Sequence, residues 1–243
     1  MAEVDVSPEL YAEIEKNFKS SVQSDSTIKS VVSKVNHKRA TTKDIQRVAE
    51  RLGKHASDAL NSVLTVGDLP SGTMYWNIGE KTIKPLMETV YNTINTLAIG
   101  ERRASDAVRG INIGISMGTN PADRIDTILG FAVKSKTPEE LANALNLPVK
   151  TTALDFVDDF EKRNAEVRNG MGFTQTVIRE YDGVGLNNGK EPCEWCIERA
   201  GTWSYQEAID NGVFERHVGC GCTIEVVEGD QRSEDWDEES IPF

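Results

Sequence analysis

Apolar residues recur every three or four positions over most of residues 1–170, the spacing of helices that each bury one face. Leu10, Ile14 and Phe18 follow Ser7-Pro8-Glu9, which reads as an N-cap with proline at the first helical position, and predict a helix over 7–23. Ile28, Val31, Val32 and Val35 form a shorter stripe that suits a helix or, being rich in valine, a strand. The strongest pattern runs from Thr42 to Leu64, with Ile45, Val48, Ala49, Leu52, Ala56, Ala59, Leu60 and Val63 on one face. Gly53 lies inside it at a cost of about 1 kcal/mol against alanine, which points to a close helix crossing. Breakers between Val66 and Gly72 predict a loop.

A further helix is predicted from Trp76 to about Ile99, with Pro85 starting or kinking it. Ile111 to Met117 alternates apolar and small residues as a strand would. Asn120-Pro121 opens a helix through Ile125, Ile128, Leu129 and Val133. Thr137-Pro138 opens a short one ending near Leu145, and Leu147-Pro148 a separate long one stopped at Asn169-Gly170. At Phe173 the period changes. Thr174 to Tyr181 is β-branched and aromatic, Asp182-Gly183 supplies a turn, and Cys222 to Val227 reads as a returning strand. The predicted fold is therefore mostly α: a helical domain over 1–170, a small β-containing metal-binding module over 171–229, and an acidic, poorly ordered tail over 230–243.

Composition narrows the function. The net charge of −12 argues against a general nucleic-acid binder, and 243 residues are enough to bury a core without a metal. No apolar run approaches a membrane span, and the acidic start, Met1-Ala-Glu-Val-Asp, has no secretory pattern, so synthesis in a reducing cytoplasm is expected. Charge is uneven, however. Between Lys29 and Lys54 eight basic residues face only Asp44 and Glu50, whereas Glu225 to Glu239 holds eight acidic residues against Arg232. The basic segment reads as a solvated helix face, or as a local contact surface around Lys38, Arg39, Lys43 and Arg47.

The chemistry gathers in one place. All four cysteines lie in Cys193-Glu-Trp-Cys196 and His217-Val-Gly-Cys220-Gly-Cys222, with one of the three histidines. Thiolates and imidazole are zinc's preferred ligands, and a C-x2-C pair closed by a second pair makes a tetrahedral site. Four of Cys193, Cys196, His217, Cys220 and Cys222 suffice, and the spacing does not say which. A site so filled has no open position for water, so the expected role is a structural zinc staple. Disulfides or metal-free reduced thiols are the competing readings. Trp195, Trp203, Tyr205 and Phe214 are expected to form the module's own small core. His37 and His55 have no catalytic partner in view, no nucleophile, P-loop or dinucleotide motif is present, and no catalytic residue is assigned.

The stretch from Cys193 to Val226, with Ala200-Gly201 after the first pair and His217-x2-Cys220-x-Cys222 before a strand, resembles the C-terminal signature of the MuF-like head morphogenesis proteins, the minor head proteins of tailed phages. Val218 stands where many members have proline, which is closer to the Gram-positive branch. The resemblance implies a virion component near the portal or in the capsid interior, touching the portal, major capsid or scaffold protein. It also implies a role in head assembly or in packaging and delivering DNA, which the basic segment could face. A nuclease-like enzyme or a regulatory nucleic-acid-binding zinc protein are the alternatives.

Overall fold

The computed structural model describes residues 5–65, 67, 69–119, 122–181, 183 and 193–232, with side chains as far as Gly229. Its helical part comprises α1 (Ser7–Ser24), α2 (Ser26–Asn36), α3 (Thr42–Val63), α4 (Trp76–Arg109), α5 (Ala122–Lys134) and α6 (Pro138–Gly170). Leu10, Ile14 and Phe18 form the buried face of α1, as their spacing predicts. The cap differs by one residue: Val6 holds that position, and Ser7, the first helical residue, donates its hydroxyl to Asp5 at 2.7 Å. The valine-rich stripe is helical, because Asp25 caps α2 by accepting the N–H groups of Thr27 and Ile28. A capping box between Thr41 and Asp44 starts α3. Val66, Asp68, Asn120, Pro121 and Asp182, on which turn and cap expectations fell, lie outside the described residues.

Gly53 is where α3 meets α6. A Cβ there would sit 2.9 Å from Cβ of Ala153 and 3.0 Å from the backbone Cα of Lys150. Gly53→Ala therefore gains about 1 kcal/mol of helix propensity but forces two long helices apart. A net loss of about 1–2 kcal/mol is expected, read as a lower urea midpoint with an unchanged slope.

Two helix boundaries need correction. α4 continues ten residues beyond Ile99, through Pro85, to the left-handed Gly110 (φ 69°). The two helices expected on either side of Leu147 are one, since α6 runs unbroken for 33 residues with Pro148 inside. Proline removes one N–H and crowds the preceding turn, yet Leu145, Pro148 and Val149 are all buried. Packing on both sides of the proline keeps the axis continuous. The strand expected over Ile111 to Met117 is also absent. This stretch is irregular and joins no sheet, and helix side chains satisfy part of its backbone: Asn164 bonds both the N–H and the C=O of Ser116, at 3.1 and 2.9 Å, and Asn95 accepts the N–H of Gly118 at 3.0 Å.

The C-terminal part consists of β1 (Phe173–Glu180), α7 (Glu194–Arg199), β2 (Gly201–Ser204), α8 (Tyr205–Asp210) and β3 (Thr223–Arg232). The sheet is antiparallel in the order β2-β1-β3, with Val177 opposite both Trp203 and Val226. Residues 230–232, assigned from the sequence to the tail, belong to β3 instead, because pairing with β1 continues to Arg232 opposite Phe173. The rest of the predicted tail, 233–243, lies outside the described residues.

The helical body and the sheet have separate apolar clusters. Beneath the sheet Val177, Tyr205, Ala208, Val213, Phe214, Ile224 and Val226 pack on Ala165 of α6, with Trp203 half-buried beside them. Between the two clusters lies a layer of buried charge. Arg168, fully buried, reaches Asp106 at 2.6 Å and Glu228 at 2.8 Å, and Arg102 pairs with Glu161. Burial, reinforced by the charge of Glu161, lifts the carboxyl of Glu101 to about 7. The folded chain then holds this proton more tightly than the unfolded one. Stability therefore falls as pH rises from the ordinary glutamate range toward 7 and levels off above it. Glu101→Gln should flatten that slope and make the variant the more stable protein near pH 8, by up to about 3 kcal/mol. Urea midpoints on both sides of the window check this.

The basic segment is largely engaged within the molecule. Lys34 pairs with Asp44, Lys43 with Glu180 and Glu225, Arg51 with Asp25, and Lys54 with Asp58. His55 joins Arg51 on Asp25 at 2.8 Å, and His37 lies exposed at the end of α2 with Nδ1 2.7 Å from the Ser33 carbonyl. No helix is long and apolar enough to cross a membrane among the described residues.

Candidate metal centre

Three local devices bring the five donors together. Cys193 caps α7, so that Cys196 comes round one helical turn later on the same side, and the N–H of Ile197 bonds back to the Cys193 carbonyl at 3.0 Å. The tyrosine that follows β1 helps fix the entry, since Tyr181 Oη accepts the N–H of Cys193 at 3.1 Å. The second half is a tight turn in which the N–H of Cys220 reaches the His217 carbonyl at 3.0 Å, with Gly219 at φ 87°. That φ suits glycine, and the Gly219 N–H is held by Thr151 of α6 at 2.9 Å. Cys222 then leads straight into β3.

The donor atoms converge. His217 Nε2 lies 3.1 Å from the Cys193 sulfur and 3.0 Å from that of Cys196, and the Cys196 and Cys220 sulfurs are 3.6 Å apart. Two overlapping groups result, Cys193/Cys196/His217 and Cys196/Cys220/Cys222, each with all its ligand atoms within 4.8 Å of one another. The four cysteines are unbridged. Around a tetrahedral ion with metal–sulfur bonds of about 2.3 Å, sulfurs stand about 3.8 Å apart and sulfur and nitrogen about 3.6 Å. The sulfur pair would open by about 0.2 Å, and the imidazole nitrogen would draw back from the two sulfurs by about 0.5–0.6 Å. His217 is also in the right tautomer: Nδ1 lies 2.9 Å from the Val218 carbonyl, which can only accept, so the proton is on Nδ1 and the Nε2 lone pair faces the sulfurs. The cluster could thus hold a metal ion, as the sequence spacing predicts.

Comparison with protein-family models, curated proteins and solved structures returns no significant match. The arrangement of the site therefore carries the functional argument. Cys196, Cys220 and Cys222 are almost fully buried, and Cys193 and His217 half-buried. Trp195 closes one side, edge-on to the His217 ring at 5.3 Å between centroids and stacked by the Arg199 guanidinium at 4.0 Å. The other aromatic residues expected around the cluster, Trp203, Tyr205 and Phe214, lie in the neighbouring apolar cluster under the sheet.

The sequence reading missed two arginines here. Arg179 projects inward from β1, alternating with Gln175 and Val177, and its Nη2 approaches the sulfurs of Cys220 at 3.3 Å and Cys196 at 3.9 Å. Its Nη1 donates to the carbonyls of Val213 and Glu215 at 2.5 and 2.8 Å. Arg216 is paired through Nε and Nη2 with both oxygens of Asp158 on α6 and turns Nη1 toward the Cys220 sulfur at 3.9 Å. The clue was the period-2 alternation of β1, which puts an arginine on the face that carries Val177. In the metal-free cluster, a hydrogen bond from Cys222 and then the Arg216 charge draw the Cys220 thiol down to about 4, against the effect of burial. Burial, with the Cys220 charge added, pushes Cys196 up to about 12.

Proposed function

We propose that this chain is a minor structural protein of a tailed-phage head, at the portal or the capsid interior, and that the C-terminal cluster holds zinc as a staple. One observation carries the reading. Five soft donors, in the order and spacing of the MuF-like signature, converge on a closed and largely buried point between a small sheet and the helix α6. Four protein ligands fill a tetrahedral ion and leave no place for an activated water, which favours architecture over catalysis. A long-helix body carrying one stapled module suits an adaptor that must present fixed surfaces to two neighbours. The portal, major capsid or scaffold protein is the expected partner. Contact with packaged DNA would fall chiefly to Lys38 and Arg39, since Lys43 is held by Glu180 and Glu225 and Arg47 lies 3.6 Å from Asp44.

Purified virions of a phage encoding the chain test this. Mass spectrometry should find it at a few copies per particle, and cryo-EM should place it at the portal vertex or the inner capsid wall. A chain absent from both assembling and mature heads, or heads that form and deliver DNA normally without its gene, would overturn the reading.

A further inference from the structure

The five donors outnumber the four sites of the ion, and the charge buried around them indicates which one is left over. Arg179 is 1 % exposed, and no carboxylate lies within ion-pair distance of it among the described residues. Both oxygens of Asp158, the buried acid on that side, are taken by Arg216. A guanidinium so placed is costly unless anions face it, and besides the Trp195 ring at 4.9 Å its neighbours are the cysteine sulfurs: Cys220 at 3.3 Å and Cys196 at 3.9 Å from Nη2, with Cys222 beside them. The Arg216–Asp158 pair is neutral as a unit, so the shell offers the centre one net positive charge.

We infer that Arg179 is the counter-charge of the metal centre and that the ion is held by Cys193, Cys196, His217 and Cys220, leaving Cys222 as an uncoordinated thiol. The inference rests on the reading of the cluster as a metal site. A divalent ion with three thiolates and one neutral imidazole carries one negative charge, which one guanidinium balances. Four thiolates would carry two. Geometry points to the same set: the imidazole nitrogen lies close to Cys193 and Cys196, the Cys220 sulfur is 3.6 Å from that of Cys196, and Cys220 is the sulfur faced by both Arg179 and Arg216, at 3.3 and 3.9 Å. Cys222, 1 % exposed at the start of β3, then packs as a small apolar residue beside Cys220. Arg179 is a positioning residue for the sulfurs, and its other nitrogen ties them to the backbone at Val213 and Glu215.

Zinc X-ray absorption on the full-length wild-type chain tests the ligand set without any substitution. Three sulfurs at about 2.3 Å and one nitrogen at about 2.0–2.1 Å are expected. Four sulfurs and no nitrogen would overturn the inference while leaving the metal site standing, whereas a folded chain purified without zinc would remove the site itself. Among variants, Cys222→Ala should keep a full equivalent of zinc and the same absorption pattern, and His217→Ala should lose nitrogen from it. Arg179→Met should weaken zinc binding about 10–100-fold in chelator competition, and Arg179→Lys should recover part of that loss. Loss of zinc from Cys222→Ala with retention in His217→Ala, or unchanged affinity in Arg179→Met, would reverse the assignment.

Discussion

Chelation of the metal is expected to unfold residues 193–222 while the helical body stays folded. The eight residues of the apolar cluster under the sheet include Ala165, contributed by α6, and two alanines in all, so the module's own core is small. Its helices α7 and α8 are six residues each, too short to persist without tertiary support. An ion held there would join the start of α7 to the turn before β3, and structural zinc in small domains supplies about 10–16 kcal/mol of apparent binding energy. Removing that much exceeds what so few buried side chains return. The body differs, because α1 to α6 share one continuous cluster from Leu10 to Phe160 that the metal does not touch. Chelator should therefore red-shift and weaken the emission of Trp195 and Trp203, open protease sites in the module, and change far-UV circular dichroism little. Because the ligands bind only when deprotonated, the same loss should appear on acidification. Native emission and full protease resistance in the stripped protein would show that the module stands without the staple.

What could be read in the sequence depended on whether the deciding interaction was local. The α3 stripe from Ile45 to Val63 and the Cys-x2-Cys spacing are properties of a few adjacent residues, and both appear in the structure as expected. Gly53 was legible as a close crossing because a glycine in a strong helix is costly unless something approaches it, although its neighbours, Lys150 and Ala153, were not. Pro148 was misread because proline's local effect is to stop a helix, while the packing that carries α6 through it comes from residues distant in the chain. Ile111 to Met117 failed for the same reason: alternation suggested a strand, but the groups that satisfy part of its backbone, Asn95 and Asn164, belong to helices far along the sequence. The buried arginines were nearly invisible in another sense. Only the alternation of β1 hinted at Arg179, and nothing near Arg168 or Arg216 marks them as interior, since their acidic partners Asp106 and Asp158 lie 62 and 58 residues away.

Arg168→Met is expected to cost about 3–5 kcal/mol, the second large effect, and to loosen the module from the body. Arg168 is wholly buried near the end of α6, joined to Asp106 of α4 and Glu228 of β3. Its Nε lies 2.8 Å from the Glu228 carboxylate without the alignment of a hydrogen bond, so that contact is an attraction of charges. Methionine fills similar space but leaves two carboxylates almost without solvent, Asp106 and Glu228, with Arg109 3.6 Å from Glu228 and the Arg102 charge, itself paired with Glu161, nearby. The penalty comes mostly from those stranded charges and not from the lost bonds, and this gives the prediction a second arm. Neutralising the partners as well, in Arg168→Met with Asp106→Asn and Glu228→Gln, should recover most of the stability measured by urea unfolding, as a buried ionic group replaced by neutral side chains often does. A triple variant no more stable than Arg168→Met would mean that the arginine acts through packing alone. Recovery of stability together with a module more readily cut by protease would separate the two roles: the charges would then be fixing how the sheet sits on α4 and α6, at little net gain in stability, and that fixed placement is what an adaptor between two partners requires.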